Sequence, residues 1–149
     1  MGRAVYHGPL GPLTLTEEDG LITSLDWHDR PGEGSALLEE AVAQLAAYFD
    51  RRLMAFDLPL EFGAGLNADV RRAMFAIPYG HTRTYGDIAK ELGVPAQAVG
   101  QGCGANAIPV IIPCHRVLGA TNLGGFSAKG GVETKVALLK LEGAASLLI

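Results

Sequence analysis

The sequence predicts an α+β protein, with a small antiparallel sheet and one helix in an N-terminal subdomain and a mostly helical C-terminal subdomain holding a helix-turn-helix. Three observations carry this reading. The first third alternates short apolar segments with turn signals. Residues 35–52 keep apolar positions at helical spacing. Two short helical patterns between residues 84 and 104 are joined by a tight glycine-containing turn.

In chain order, residues 4–6 and 13–16 read as strands around the turn-rich GPLGP, and 21–27 as a third strand after EEDG. A helix follows from Ser35, a good N-cap, to about Arg52, with Leu38, Ala41, Val42, Leu45, Tyr48 and Phe49 on its inner side. Residues 58–62 read as a further strand and 63–65 as a short linker, so the subdomains are placed at 1–63 and 66–149. Asn67 is read as the cap of a helix that Pro78 ends, with Val70, Ala73 and Met74 inward. Thr84 and Asp87 have capping-box spacing; Ile88 and Leu92 follow on one side, and Gly93 closes that helix. Pro95 suits the first turn of the next helix, which runs to about Gly104.

With 149 residues, 48% of them hydrophobic and 19% charged, the chain has the composition of a globular protein. No apolar run approaches ~18 residues, which excludes a transmembrane helix. The start, MGRAVYHGPLG, lacks the apolar core of a secretory signal. Two cysteines, Cys103 and Cys114, fit a reducing compartment rather than a disulfide scaffold. A cytoplasmic monomer with no membrane association is expected. The net charge of −4 argues against a simple basic nucleic-acid binder, but it divides unevenly: −8 before residue 70 and +4 from Arg71 onward. Such asymmetry can mark one half as the face toward a polyanion.

The run from Pro109 to Pro113 is apolar and bracketed by prolines, so it reads as a short buried strand with Cys114, His115 and Arg116 at its end. A cysteine beside an imidazole and a guanidinium can be nucleophilic at neutral pH. A buried structural cysteine is the alternative, and these residues alone leave both open. His7, His28 and His81 show no metal-ligand spacing with the two cysteines, so no metal is expected. GGFSAKGG does not follow the pattern of a phosphate-cradling loop.

The string GQGCGANAIPVIIPCHRV, followed by GGFSAKGG and a final helix, resembles the O6-alkylguanine-DNA alkyltransferases, the suicidal methylated-DNA–protein-cysteine methyltransferases. IPYGHTRTYGDIAKELG is similar to the same family's approach to its helix-turn-helix, and the resemblance is strong over residues 66–145. It implies that Cys114 is the alkyl acceptor, that His115 deprotonates it through a water, and that Glu142 orients His115. It also makes Asn106 the hinge between recognition helix and cysteine segment, and Tyr85 the phenol that polarises the leaving guanine. Ser127 would donate to the O6 atom, Val117 and Cys114 would offer carbonyls to the base's amino group, and Phe126 and Pro109 would form pocket walls. The partner implied is double-stranded DNA carrying O6-alkylguanine, with O4-alkylthymine as a related substrate, and no cofactor is needed.

One position departs from the family. Where an arginine fills the gap left by the flipped base, this chain has Gln97, next to Ala98. No charged residue lies between Val94 and Asn106, so phosphate neutralisation falls to Arg71, Arg72, Arg83, Lys90, Arg116 and Lys129. Weaker DNA binding or slower flipping is expected than in an arginine-bearing relative. The competing reading is a non-catalytic lesion sensor that recruits other repair proteins. Such sensors lack the cysteine, and Cys114 is present here.

Overall fold

The computed structural model describes residues 1–126 and 129–144. It divides into two compact units, Met1–Glu61 and Phe62–Ile149. No helix among the described residues is long and apolar enough to cross a membrane.

The first unit is a three-stranded antiparallel meander, β1 (Gly2–Gly8), β2 (Gly11–Glu18) and β3 (Leu21–Asp26), with helix α1 (Ala36–Phe49) against β1 and β2. Asp19 and Gly20 make the two-residue turn between β2 and β3, both at positive φ (52° and 77°). This is the geometry that matches strand twist in a tight hairpin, and Asp-Gly adopts it readily. Ser35 caps α1, its hydroxyl accepting from the Leu38 amide at 3.1 Å. Leu38, Ala41, Leu45 and Tyr48 on α1 are fully buried, as are Leu13 and Leu15 on β2.

The strand read at residues 58–62 is corrected to a single bridge. Leu60 pairs in parallel with Ile22, through Ile22 N–H to Pro59 O at 2.8 Å and Glu61 N–H to Ile22 O at 2.9 Å. Pro59 has no N–H to extend the ladder.

The second unit begins with α2 (Gly65–Phe75), three residues earlier than read: Ala64 stands at the N-cap without a side-chain bond, and Asn67 lies inside the first turn. A two-residue parallel pairing of β4 (Arg83–Thr84) with β5 (Val117–Leu118) brings the chain before the helix-turn-helix beside the chain after Cys114. Helix α3 (Tyr85–Leu92) has a complete capping box: Asp87 N–H to Thr84 Oγ1 at 3.0 Å and Thr84 N–H to the Asp87 carboxylate at 2.9 Å. Gly93 ends it in the left-handed conformation, φ 69°. Helix α4 (Ala96–Gly104) follows after Pro95 and packs on α2 and α3. A methyl group built on Gly102 would come within 3.0 Å of Val70 on α2, so this glycine permits the close approach. Helix α5 (Val132–Leu141) completes the unit.

The strand read at residues 109–113 is also corrected. The segment is an irregular turn: Ile112 N–H bonds Ile108 O at 2.9 Å, and Val110 sits at φ +72°. Two prolines deny it the donors of a ladder. Asn106 supplies what the backbone lacks, donating Nδ2–H to Ile112 O at 2.9 Å and accepting Ile108 N–H at 3.1 Å. A β-branched residue in the left-handed region costs about 1–3 kcal/mol, so its surroundings must over-determine it. Burial of Ile108, Val110, Ile111 and Ile112 together with the Asn106 clamp does so.

Candidate active site

Cys114 opens a short 3₁₀ turn, Cys114–Arg116, directly after the Asn106-clamped segment. Its amide bonds Ile112 O at 2.8 Å, and the residue is 6% exposed. It shares the wall of a pocket of about 500 Å³ with Tyr85 from α3, Gly100, Cys103 and Gly104 from α4, and Gly125 and Phe126 from the loop before α5. Burial pushes the Cys114 thiol above its ordinary value, while the Asn106 side chain and the Lys135 ammonium pull it back in part. Left to its environment, this thiol would be protonated at neutral pH, so it needs a base.

His115 is fully buried beside it. Its Nε2 lies 2.7 Å from Oε2 of Glu142, the residue that ends α5. Arg116 grips the same carboxylate with Nε to Oε1 and Nη2 to Oε2, both at 2.9 Å, and donates Nη1–H to Ile77 O at 2.7 Å. Burial alone would raise the Glu142 carboxyl, but the hydrogen bonds and charges of His115 and Arg116 outweigh it and hold the carboxyl down to about 2. Glu142 is therefore ionised and can only accept, so Nε2 of His115 must carry the proton. Burial lowers the His115 pKa and keeps the ring neutral, which leaves the lone pair on Nδ1. That Nδ1 is buried, with no hydrogen-bond partner among the described residues. The arrangement is a preset base.

Tyr85 is half-buried in the pocket wall; burial raises its phenol, and the two cysteine sulfurs add to this. Cys103 is a buried thiol pushed up to about 12, chiefly by desolvation, and its Sγ lies 3.5 Å from Met74 Sδ.

Several sequence-read residues stand elsewhere. Pro109 is buried but is not among the residues lining the pocket. Ser127 lies outside the described residues. The Val117 carbonyl, read as a partner for the base, accepts from Lys135 Nζ at 2.6 Å. Arg116 is corrected: 6% exposed and bound to Glu142 and Ile77, it has no surface from which to meet a phosphate. Arg71 is half-buried, its Nη1 and Nη2 donating to the carbonyls of Phe62 at 3.2 Å and Ala105 at 2.7 Å. Arg83 pairs with Glu91 at 3.3 Å, Lys129 and Gln97 are exposed, and Ala98 is half-buried on α4.

Lys135 was missed by the sequence reading. It is fully buried, donates to Val117 O and to Gly125 O at 3.0 Å, and lies 5.9 Å from the centre of the Tyr85 ring. It thereby ties the start of β5 to the loop that walls the pocket. Its signal was present: Lys135 stands three and four residues before Leu138 and Leu139, on the face of α5 that the helical period buries.

The comparisons with known proteins agree over nearly the whole chain. The DNA-binding domain of 6-O-methylguanine DNA methyltransferase matches residues 66–144, and the ribonuclease-like domain of the same proteins matches residues 1–62. A methylated-DNA–protein-cysteine methyltransferase of Mycobacterium tuberculosis (strain H37Rv) is 42% identical, over 90% of this chain and 87% of its own length. One from Methanosarcina acetivorans is 40% identical, over 96% and 99%. The crystal structure of Mycobacterium tuberculosis OGT in complex with DNA superposes with a TM-score of 0.87 at 39% identity, covering 97% of this chain and 94% of that one. With a buried cysteine beside the His115–Glu142 pair in the unit that the DNA-binding domain matches, and with both domains present, the chain belongs to the 6-O-methylguanine DNA methyltransferase family.

Proposed function

We infer that this protein repairs alkylated DNA by direct reversal, moving the alkyl group from O6-alkylguanine in a duplex onto its own Cys114 in a single turnover. The observation that carries this is a buried thiol in the wall of a base-sized pocket, next to a histidine whose protonation is fixed by Glu142 and Arg116.

The geometry supports the following sequence. Helix α4 meets the duplex, and the damaged base leaves the stack for the pocket, with Gln97 standing in the gap. Glu142 holds the His115 Nε2–H, and Nδ1 takes the Cys114 proton through a water. The thiolate attacks the alkyl carbon: the S–C bond forms, the C–O6 bond breaks, and its electron pair goes to the guanine. Tyr85 donates its phenolic proton to the departing base and is reprotonated afterwards from His115 through solvent. The product is a thioether, which thiol exchange does not cleave, so one protein serves one lesion. No step requires a cofactor.

The test is the intact mass of the protein after incubation with a duplex carrying one O6-methylguanine, with C114S as control. A gain of one methyl by the wild type and none by C114S supports transfer. Binding of the duplex without any mass gain would replace this reading with that of a lesion sensor.

A further inference from the structure

We propose that Arg71 is a positioning residue for Cys114: reaching across from α2, it caps the C-terminal end of helix α4 and fixes the Asn106 clamp on which the cysteine segment depends. The inference rests on the transfer reading above and adds a residue that sets the rate of that step without touching the base.

Helix α4 is poorly equipped to hold its own end. It is nine residues long, carries glycine at positions 100, 102 and 104, and has no charged side chain. Glycine is among the weakest helix formers, and a short helix depends on what packs against it. The last carbonyls of a helix lack partners within it, and a cation nearby answers both that need and the negative end of the helix dipole. No residue in the last turn of α4 is basic, and Ala105 stands at its C-cap. Arg71 supplies the cation from another element, donating Nη2–H to Ala105 O at 2.7 Å. Its neighbour on α2, Val70, faces Gly102, so α2 grips the last turn of α4 through two consecutive residues.

The other arm of the guanidinium is anchored as well. Nη1–H goes to Phe62 O at 3.2 Å. The Phe62 ring has the Arg72 guanidinium 4.5 Å above its centre and the Phe75 ring edge-on at 5.8 Å. The planar fork of Arg71 thus spans two held carbonyls, a geometry that a lysine ammonium on its flexible stem does not reproduce. Arg71 Nε is buried with no hydrogen-bond partner among the described residues, so the side chain is kept in this place at a cost in hydration. What it holds matters because Asn106 follows Ala105. The Asn106 side chain bonds Ile112 O and Ile108 N–H, and Cys114 comes directly after that clamped segment. A shift at Ala105 is therefore passed to the clamp and on to the thiol.

The experiment measures single-turnover methyl transfer to Cys114 over a range of concentrations of a duplex carrying O6-methylguanine, for wild type, R71Q and R71K. Each protein is assayed below its own melting temperature, and the half-saturating duplex concentration is followed across a salt series. Both variants are expected to lose about 10- to 100-fold in the saturated rate, as a reacting group misplaced by up to about 1 Å does. Half-saturation and its salt slope should stay as in wild type, because Gln97 lies in the first turn of α4, away from the capped end. A phosphate contact by Arg71 predicts the opposite split: R71K behaves as wild type, and R71Q binds more weakly with a slope shallower by about 0.9. The saturated rate decides. A wild-type value in either folded variant overturns the proposal, even where that variant melts lower. Failure of both variants to fold makes Arg71 a requirement of the fold and overturns it too. Absence of methyl transfer by the wild type defeats the transfer reading itself, and this proposal with it.

Discussion

Glu142 sits between His115 and Arg116, and these contacts explain how a carboxylate survives in a site where it is 5% exposed. A helix-terminal glutamate followed by glycine could equally be surface charge, and what decides is Arg116, 26 residues away in sequence. Removing one partner of a buried ion pair costs about 3–5 kcal/mol, because the other charge is left unmatched. E142Q should therefore lose about that much stability in urea denaturation and transfer more slowly, since Nε2 of His115 loses its fixed acceptor. The pH dependence has a definite sign. His115 is lowered from 6.5 and Glu142 from 4.5 to about 2, so in both cases the unfolded chain binds the proton first. Stability contributed by these groups is complete above pH 6.5 and declines as the pH falls, the Glu142 share going between 4.5 and about 2. Urea titrations across the acid range should show this decline, and in E142Q the part below pH 4.5 should be shallower. At this scale the grouping of Cys114, His115 and Glu142, which the structure brings together, was legible from the family resemblance of the string around Cys114 and the final helix. The burial of Arg116 was not, because whether a cation is buried depends on carbonyls and carboxylates from other elements.

Helix α3 shows why some elements read cleanly. Its capping box, Thr84 with Asp87, and its Gly93 stop are local features, satisfied within one turn of the chain. The Asp19-Gly20 hairpin is another. T84A removes one capping acceptor and should cost about 1 kcal/mol. In a protein of this size that lowers the melting temperature by about 2–8 °C. An unchanged melting temperature would mean that the parallel β4–β5 pairing, rather than the cap, fixes the start of α3. The segment at residues 109–113 was misread for the complementary reason. Its composition is that of a buried strand, and it is buried, but it has no partner strand and too few donors. The side chain of Asn106 settles its shape, and no propensity for strand or turn encodes such a clamp.

At the scale of the molecule, charge is the feature to test. The first unit carries four basic and eleven acidic residues, a net of −7; the second carries eight basic and five acidic, a net of +3. Of those eight cations Arg116 and Lys135 are buried, Arg71 is bonded to carbonyls, and Arg83 is paired with Glu91. Arg72, Lys90, Lys129 and Lys140 remain exposed. Each phosphate neutralised contributes about −0.9 to the slope of log affinity against log salt, so the wild type should show a slope of about −4 or shallower. Q97R, on an exposed position of α4, should steepen it by about 1 and tighten binding. Fluorescence anisotropy with a labelled duplex across a salt series measures both, and a wild-type slope steeper than about −6 would mean that the buried or paired cations are released on binding.

The account rests most heavily on one claim: the buried thiol of Cys114 reacts because His115, locked by Glu142, takes its proton. The direct measurement is the rate of methyl transfer as a function of pH in wild type and H115Q, read from the mass gain on Cys114. The wild type should be nearly flat from neutral to mildly alkaline pH, since its base is neutral there. H115Q should be slow at neutral pH and rise roughly 10-fold per pH unit, as expected of a thiol pushed above its ordinary value with no base beside it. Superimposable profiles for the two proteins would contradict the account and locate the activation of Cys114 in another group.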